Sequence, residues 1–154
     1  MLKHVLVPLD GSKLAEDALE HALNIVEPKG KITLVTAVEV PEVPVYGYYP
    51  PATVPDVETA KTDLLPYAKH YLEGVAESLT KREFQTAIEA HIGDPAQVIT
   101  ETAEKYHVDA IVMSTHGRSG LSRWLFGSVT NKVLGTKVCP VYVVPSKQSS
   151  NGKG

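Results

Sequence analysis

Apolar runs of strand length alternate along this chain with longer segments whose apolar residues recur every three or four positions. That alternation constrains the fold more than any other feature. Strands separated by helices are joined by crossovers, so they lie parallel in one sheet with helices packed on its faces. His4-Val-Leu-Val-Pro-Leu9 reads as a first, buried strand. Leu14, Ala15, Ala18, Leu19, Ala22, Leu23 and Val26 then mark one face of a helix over residues 13–27, with Ser12 placed to cap it. Pro28 and Gly30 are expected to stop that helix, and Lys31-Ile-Thr-Leu-Val-Thr-Ala-Val38 reads as the second strand.

Further on, Leu64, Leu65, Ala68, Tyr71, Leu72, Val75, Ala76 and Leu79 mark a long amphipathic helix, in which Pro66 requires either a kink or a later start. Phe84 to Ile92 reads as a third strand. Asp94-Pro95 supplies an N-cap and a first-turn proline for a helix whose apolar face is Val98, Ile99, Thr102, Ala103 and Tyr106. Asp109 to Thr115 is the fourth strand, a glycine-bearing loop and a helix fill 116–136, and Pro140 to Val144 is the fifth strand. Residues 41–57, with Pro41, Pro44, Pro50, Pro51 and Pro55 among Tyr46, Tyr48 and Tyr49, cannot form a regular element. This segment reads as an exposed linker or as a recognition or lid element. Residues 1–145 are expected to form one domain, and the polar tail 146–154 to fray.

Composition removes several classes of function. Fifteen basic against eighteen acidic residues leave a net charge of −3 over 154 residues, without the basic excess that neutralising a row of phosphates requires. Nucleic acid and anionic membrane are therefore disfavoured as partners. The single cysteine, Cys139, cannot form an intramolecular disulfide, so a reducing, cytoplasmic setting is the expectation. No apolar run approaches the roughly 20 residues of a membrane span.

In an open parallel sheet, ligands sit beyond the carboxyl ends of the strands, where the winding direction reverses. Three segments qualify: Pro8-Leu-Asp-Gly11, Ala37 to Val40, and Met113 to Ser128. Only the third is rich in small and polar residues. It leaves a buried strand, turns through Ser114-Thr-His-Gly117-Arg-Ser-Gly120, and reaches a helix start at Gly127-Ser128. Glycines let a backbone approach a cluster of oxygens, and a helix N-terminus presents N–H groups with partial positive charge. The same composition also suits an ordinary strand-to-helix connection. Neither a G-x-x-x-x-G-K-[ST] loop nor a G-x-G-x-x-G turn after the first strand is present.

Four segments in order, Lys3-His-Val-Leu-Val-Pro-Leu-Asp-Gly-Ser12, Gly93-Asp-Pro-Ala-Gln-Val-Ile99, Ser114-Thr-His-Gly-Arg-Ser-Gly-Leu121 through Gly127-Ser-Val129, and Cys139-Pro-Val-Tyr-Val-Val144, resemble the universal stress protein family. The resemblance implies an α/β fold of the adenine nucleotide alpha hydrolase-like type: an open five-stranded parallel sheet in the order 3-2-1-4-5, with helices on both faces. It also implies a homodimer paired through the last strand, Val141 to Val144. In the nucleotide-binding branch the motif is Gly, two residues, Gly, nine residues, Gly, then Ser or Thr. Here Gly117, Gly127 and Ser128 match, and Ser114 stands at the first glycine. By this resemblance Gly117, Gly127, Ser128 and Val129 surround phosphates and ribose, and Arg118, which flanks that loop, is a further nucleotide-binding candidate by its charge. Pro8, Leu9 and Asp10 lie near the base, with Asp10 also a candidate ligand for Mg2+. Ala37 matches the backbone position that recognises adenine, and Met113 lies on the pocket wall. The implied ligand is ATP, or AMP or ADP. Ser114 adds a Cβ that crowds this site or a hydroxyl that bonds within it.

Other residues read more plainly. Asp10 also suits a turn aspartate that bonds local backbone. Arg118 and Arg123 flank the phosphate loop or are solvated, and His116 meets phosphate or bonds loop backbone. His4, His21, His70 and His107 show no metal-ligand spacing, and His91-Ile-Gly-Asp94 lacks the second histidine of an H-x-G-H signature. Cys139 reads as a packed thiol. The leading reading is a nucleotide-dependent stress-response module. The alternative is a dimeric interaction protein with a vestigial pocket, and slow ATP hydrolysis, with His116, Asp10 and Arg118 as candidates, is left open.

Overall fold

A computed structural model of the chain describes residues 1–40, 57–115 and 127–145. Five strands, β1 (Leu2–Pro8), β2 (Val26–Val38), β3 (Gln85–Ile92), β4 (Ala110–Ser114) and β5 (Val141–Val144), form one sheet. Every pairing is parallel and the order is β3-β2-β1-β4-β5, as the resemblance implied. The crossovers carry α1 (Lys13–Ile25), α3 (Leu65–Lys81), α4 (Pro95–Tyr106) and α5 (Ser128–Thr136). A short turn, α2 (Val57–Thr59), leads through a π-helical stretch, Ala60–Leu64, into α3. Among the described residues no helix is long and apolar enough to cross a membrane.

Strand side chains alternate between two buried layers. Val5, Val7 and Leu9 of β1 and its end, with Ala110 and Val112 of β4, face α1 and α3, where they meet Ala15, Leu19, Ala22, Leu72 and Leu79. Leu6, Val35, Ile111 and Met113 face the other way, onto Ile99 and Ala103 of α4 and Val133 of α5. Central strands buried on both faces explain why they read as unbroken apolar runs.

Local chemistry fixes the element ends. Ser12 Oγ accepts from Ala15 N–H at 3.2 Å to start α1, and an Asp94 carboxylate oxygen accepts from Gln97 N–H at 3.1 Å to start α4. Pro66 falls in the first turn of α3, but Leu64 before it is right-handed helical and the π-helical stretch Ala60–Leu64 runs directly into α3, so the chain meets the proline with an irregular helical turn and not with a later start. At the far end of α3, Phe84 N–H donates to Leu79 O and Glu83 N–H to Thr80 O, with Glu83 left-handed at φ 69°.

One boundary departs from the sequence reading. The helix ends at Ile25 instead of 27, and β2 begins at Val26 instead of Lys31. Val26 pairs with Leu2 while Lys31 pairs with His4, so three extra residues are accommodated in a bulge on β2. Lys29 turns left-handed there, at φ 62°. Gly30 is required by close approach, since a Cβ would collide with Val26 and the Glu27 carbonyl. Pro28 and Gly30 therefore shape a strand entry as well as a helix stop. Smaller trims occur at Phe84, Asp109 and Pro140, which precede their strands, and the helix expected within 116–136 starts at Ser128.

Edge strand β3 is tied to α4 by charge. The Glu89 carboxylate accepts from Lys105 Nζ and from Tyr106 Oη, the latter at 3.3 Å, and pairs with His91 Nε2 at 3.3 Å. Burial pushes its pKa up, but the hydrogen bond and charge of Lys105, with His91 and Tyr106, hold it below the ordinary glutamate value. Such a group contributes stability that is complete above its unfolded-state pKa and is lost as pH falls through the folded one. Glu89→Gln is therefore expected to be less stable than the parent at pH 7 and to lose less on acidification through and below the ordinary carboxyl range. Urea unfolding across pH checks this; parallel pH profiles for the two proteins would contradict it.

Candidate functional site

The winding direction reverses between β1 and β4, because β1 continues through α1 to β2 on one side while β4 lies on the other. Pro8 is in register with Val35, and Leu6 with Ile111. Continuing that register by two residues brings Met113 level with Pro8. Pro8, Leu9, Asp10, Ala37, Met113 and Ser114 thus converge on one end of the sheet, at the crevice where open α/β sheets hold ligands.

Their exposure differs. Leu9 and Met113 are buried, in opposite layers, while Asp10, Ala37 and Ser114 are half-buried. Leu9 N–H donates to Val35 O at 2.9 Å and Leu9 O accepts from Thr36 Oγ1 at 2.8 Å, so the end of β1 is stitched to β2. Asp10 Oδ1 accepts from Ser12 N–H at 2.9 Å across Gly11, whose φ of 83° demands glycine. The turn-forming role of Asp10 is therefore present, and it fixes the carboxylate at the end of β1.

The start of α5 completes the crevice. Gly127 N–H donates to Thr115 O at 2.6 Å, and Thr115 N–H donates to Val144 O at 3.1 Å, so the helix start is fastened to the ends of β4 and β5. Gly127 is the N-cap, and among the described residues no side-chain oxygen caps the helix. That distinguishes α5 from α1 and α4, whose first-turn N–H groups are met by Ser12 and Asp94. The Gly127 backbone, with φ −59° and ψ 158°, is open to any residue. Conformation alone therefore does not require glycine at this position. No acidic residue occupies the first turn, so no carboxylate of that turn offsets the partial positive charge that the N–H groups of Ser128, Val129 and Thr130 give the helix start.

Gly117 and Arg118, with His116 and Arg123, lie outside the described residues. Two residues that sequence reasoning missed do most of the fastening: Thr130, which is buried and donates to Ser114 O at 3.0 Å, and Thr115. Among the described residues no group of three or more His, Cys, Asp or Glu is placed to hold a metal ion.

Residues 1–145 match the profile of the Universal stress protein family. The chain belongs to this family. Universal stress protein MJ0531 of Methanocaldococcus jannaschii is 32% identical over 96% of this chain and 86% of its own length. Universal stress protein MJ0577 of the same organism is 30% identical over 97% of this chain and 98% of its own. The solved structure of MJ0577 superposes with a TM-score of 0.79 over 96% of this chain and 98% of that one. A universal stress protein family protein of Arabidopsis thaliana, At3g01520, solved with AMP bound, gives a TM-score of 0.63 at 17% identity, over 96% of this chain and 94% of that one. At that identity the likeness is one of fold.

A cap whose backbone does not require glycine should tolerate a larger residue structurally, and a larger, charged cap tests whether the helix start receives an anion. Gly127→Asp is expected to stay within about 0.5 kcal/mol of the parent in urea unfolding, since glycine and aspartate differ little as caps. Its carboxylate would also occupy the helix start and repel anions, so the variant should not bind ATP. Parent-like ATP binding by the folded variant would contradict this reading of the cap.

Proposed function

We propose that this universal stress protein binds an adenine nucleotide, ATP or its mono- or diphosphate, at the crevice between β1 and β4, and acts as a nucleotide-dependent stress-response module. The observation that carries the reading is the start of α5: a helix N-terminus without a side-chain cap, fixed at the reversal point of a parallel sheet in a chain of this family. Backbone N–H groups and the helix dipole there suit phosphate oxygens. The AMP bound by the Arabidopsis relative supports the same class of ligand.

In this reading Gly127, Ser128 and Val129 meet the phosphates, with Gly117 and Arg118 contributing from the preceding loop. Asp10 supplies the protein's carboxylate to Mg2+ carried in with the phosphates. Pro8, Leu9 and Ala37 border the base, largely through backbone, and Met113 supports the wall from within the core. A local site of this kind needs no overall positive charge, so the net charge of −3 is no obstacle. The exposed edge of β5, where Tyr142 is 47% exposed, supports pairing with a second copy.

Ser114 favours a second reading, in which its Cβ closes the pocket and the protein acts only through partners. Isothermal titration of ATP with Mg2+ into the parent and into Ser114→Gly separates the two. The nucleotide reading expects the parent to bind, with Kd below about 1 mM, a modest affinity of about −4 kcal/mol. Binding by Ser114→Gly alone would establish the vestigial pocket. No binding by either folded protein would overturn the nucleotide reading.

A further inference from the structure

Thr130 is 2% exposed, and its hydroxyl donates to Ser114 O at 3.0 Å and lies 3.4 Å from Thr115 O. The same Thr115 carbonyl accepts Gly127 N–H at 2.6 Å. A buried hydroxyl in the first turn of α5 thus grips the two carbonyls on which β4 ends, while the cap residue of the helix grips one of them. Thr115 N–H in turn donates to Val144 O at 3.1 Å on β5. Because Gly127 has no side chain, α5 cannot be located by the capping bond that locates α1 and α4. Something else must set the distance between its N–H groups and the strand ends.

We propose that Thr130 is a positioning residue for phosphate: its hydroxyl sets the N–H groups of Ser128 and Val129 against the crevice, without touching the ligand itself. The inference rests on the nucleotide-binding reading above. Side-chain hydroxyls in helices commonly bond back to their own helix at the carbonyl three or four residues earlier, as Thr100 and Thr102 do in α4. Thr130 bonds outward, to the preceding strand, sixteen residues away. The effect of losing that bond should therefore fall on the helix start and on phosphate more than on the fold.

The test compares Thr130→Val, which keeps the shape and removes the hydroxyl, with Thr130→Ser, which keeps the hydroxyl. Titrations with ATP–Mg2+ and with adenosine are combined with amide hydrogen exchange of the free proteins. Thr130→Val is expected to weaken ATP about tenfold or more, the usual scale for a lost buried hydrogen bond. Adenosine affinity should change less than about twofold, since adenosine has no phosphate to misplace, and exchange should rise at Gly127 to Asn131. Thr130→Ser should restore ATP affinity to within about threefold of the parent. Equal losses for ATP and adenosine, unchanged exchange at the helix start, or no rescue by serine would overturn the positioning role. A parent that binds neither ligand would overturn the nucleotide reading itself, and the role of Thr130 toward phosphate with it.

Discussion

Parallel pairing of all five strands is the constraint from which the rest of this molecule follows. Parallel neighbours cannot be joined by tight turns, so each must be reached by a crossover, and each crossover lays a helix on a face of the sheet. Both faces are thereby buried, which forces the apolar runs in β1, β2 and β4 and leaves the polar groups of the chain to the strand ends and helix starts. All carboxyl ends point one way, and the order β3-β2-β1-β4-β5 opens a crevice at the β1–β4 junction. The location of the site is a consequence of topology before any residue in it is considered.

Residue choice then decides what the crevice accepts. Three of the helices at this end of the sheet, α1, α4 and α5, start from a cap residue that is not itself helical, and two of them satisfy their first turn with a side chain, Ser12 for α1 and Asp94 for α4. The third, α5, begins with Gly127 and has no acidic first-turn residue. An uncapped helix start is ordinarily destabilising by about 1 kcal/mol relative to a good polar cap, though glycine costs less than alanine there. Here the helix start is held instead by bonds to the ends of β4 and β5, through Thr115, Thr130 and Val144. Anchoring and capping are separated, so the N–H groups can face the crevice while the helix stays in place.

Much of this was legible in the sequence because it is periodic. The alternation of strand and helix patterns gave the fold class, and the caps at Ser12 and Asp94 were readable from residue type at a boundary. The strand order came from the family resemblance, not from periodicity. The bulge at the start of β2 was not legible: Pro28 and Gly30 signal a break, but whether the chain breaks into a turn or an extended bulge depends on pairing with Leu2 and His4. Thr130 was missed for a related reason. A threonine one turn into a helix looks like a neutral helix residue, and only the packing of α5 against β4 turns its hydroxyl toward the strand. Gly127 was legible as a glycine at a helix start, but that its backbone does not need glycine is visible only in its dihedral angles.

On the proposed function, topology and the start of α5 together make one phosphate-accepting crevice at the carboxyl end of the sheet. Backbone amide chemical shifts followed during titration with ATP and Mg2+ test it residue by residue. Saturable shifts are expected to concentrate at Leu9 to Gly11, Ala37 and Val38, and Gly127 to Thr130, with the opposite end of the sheet around Lys3, His4 and Asp109 unmoved. Shifts centred on that opposite end, or spread evenly over the chain, would contradict it.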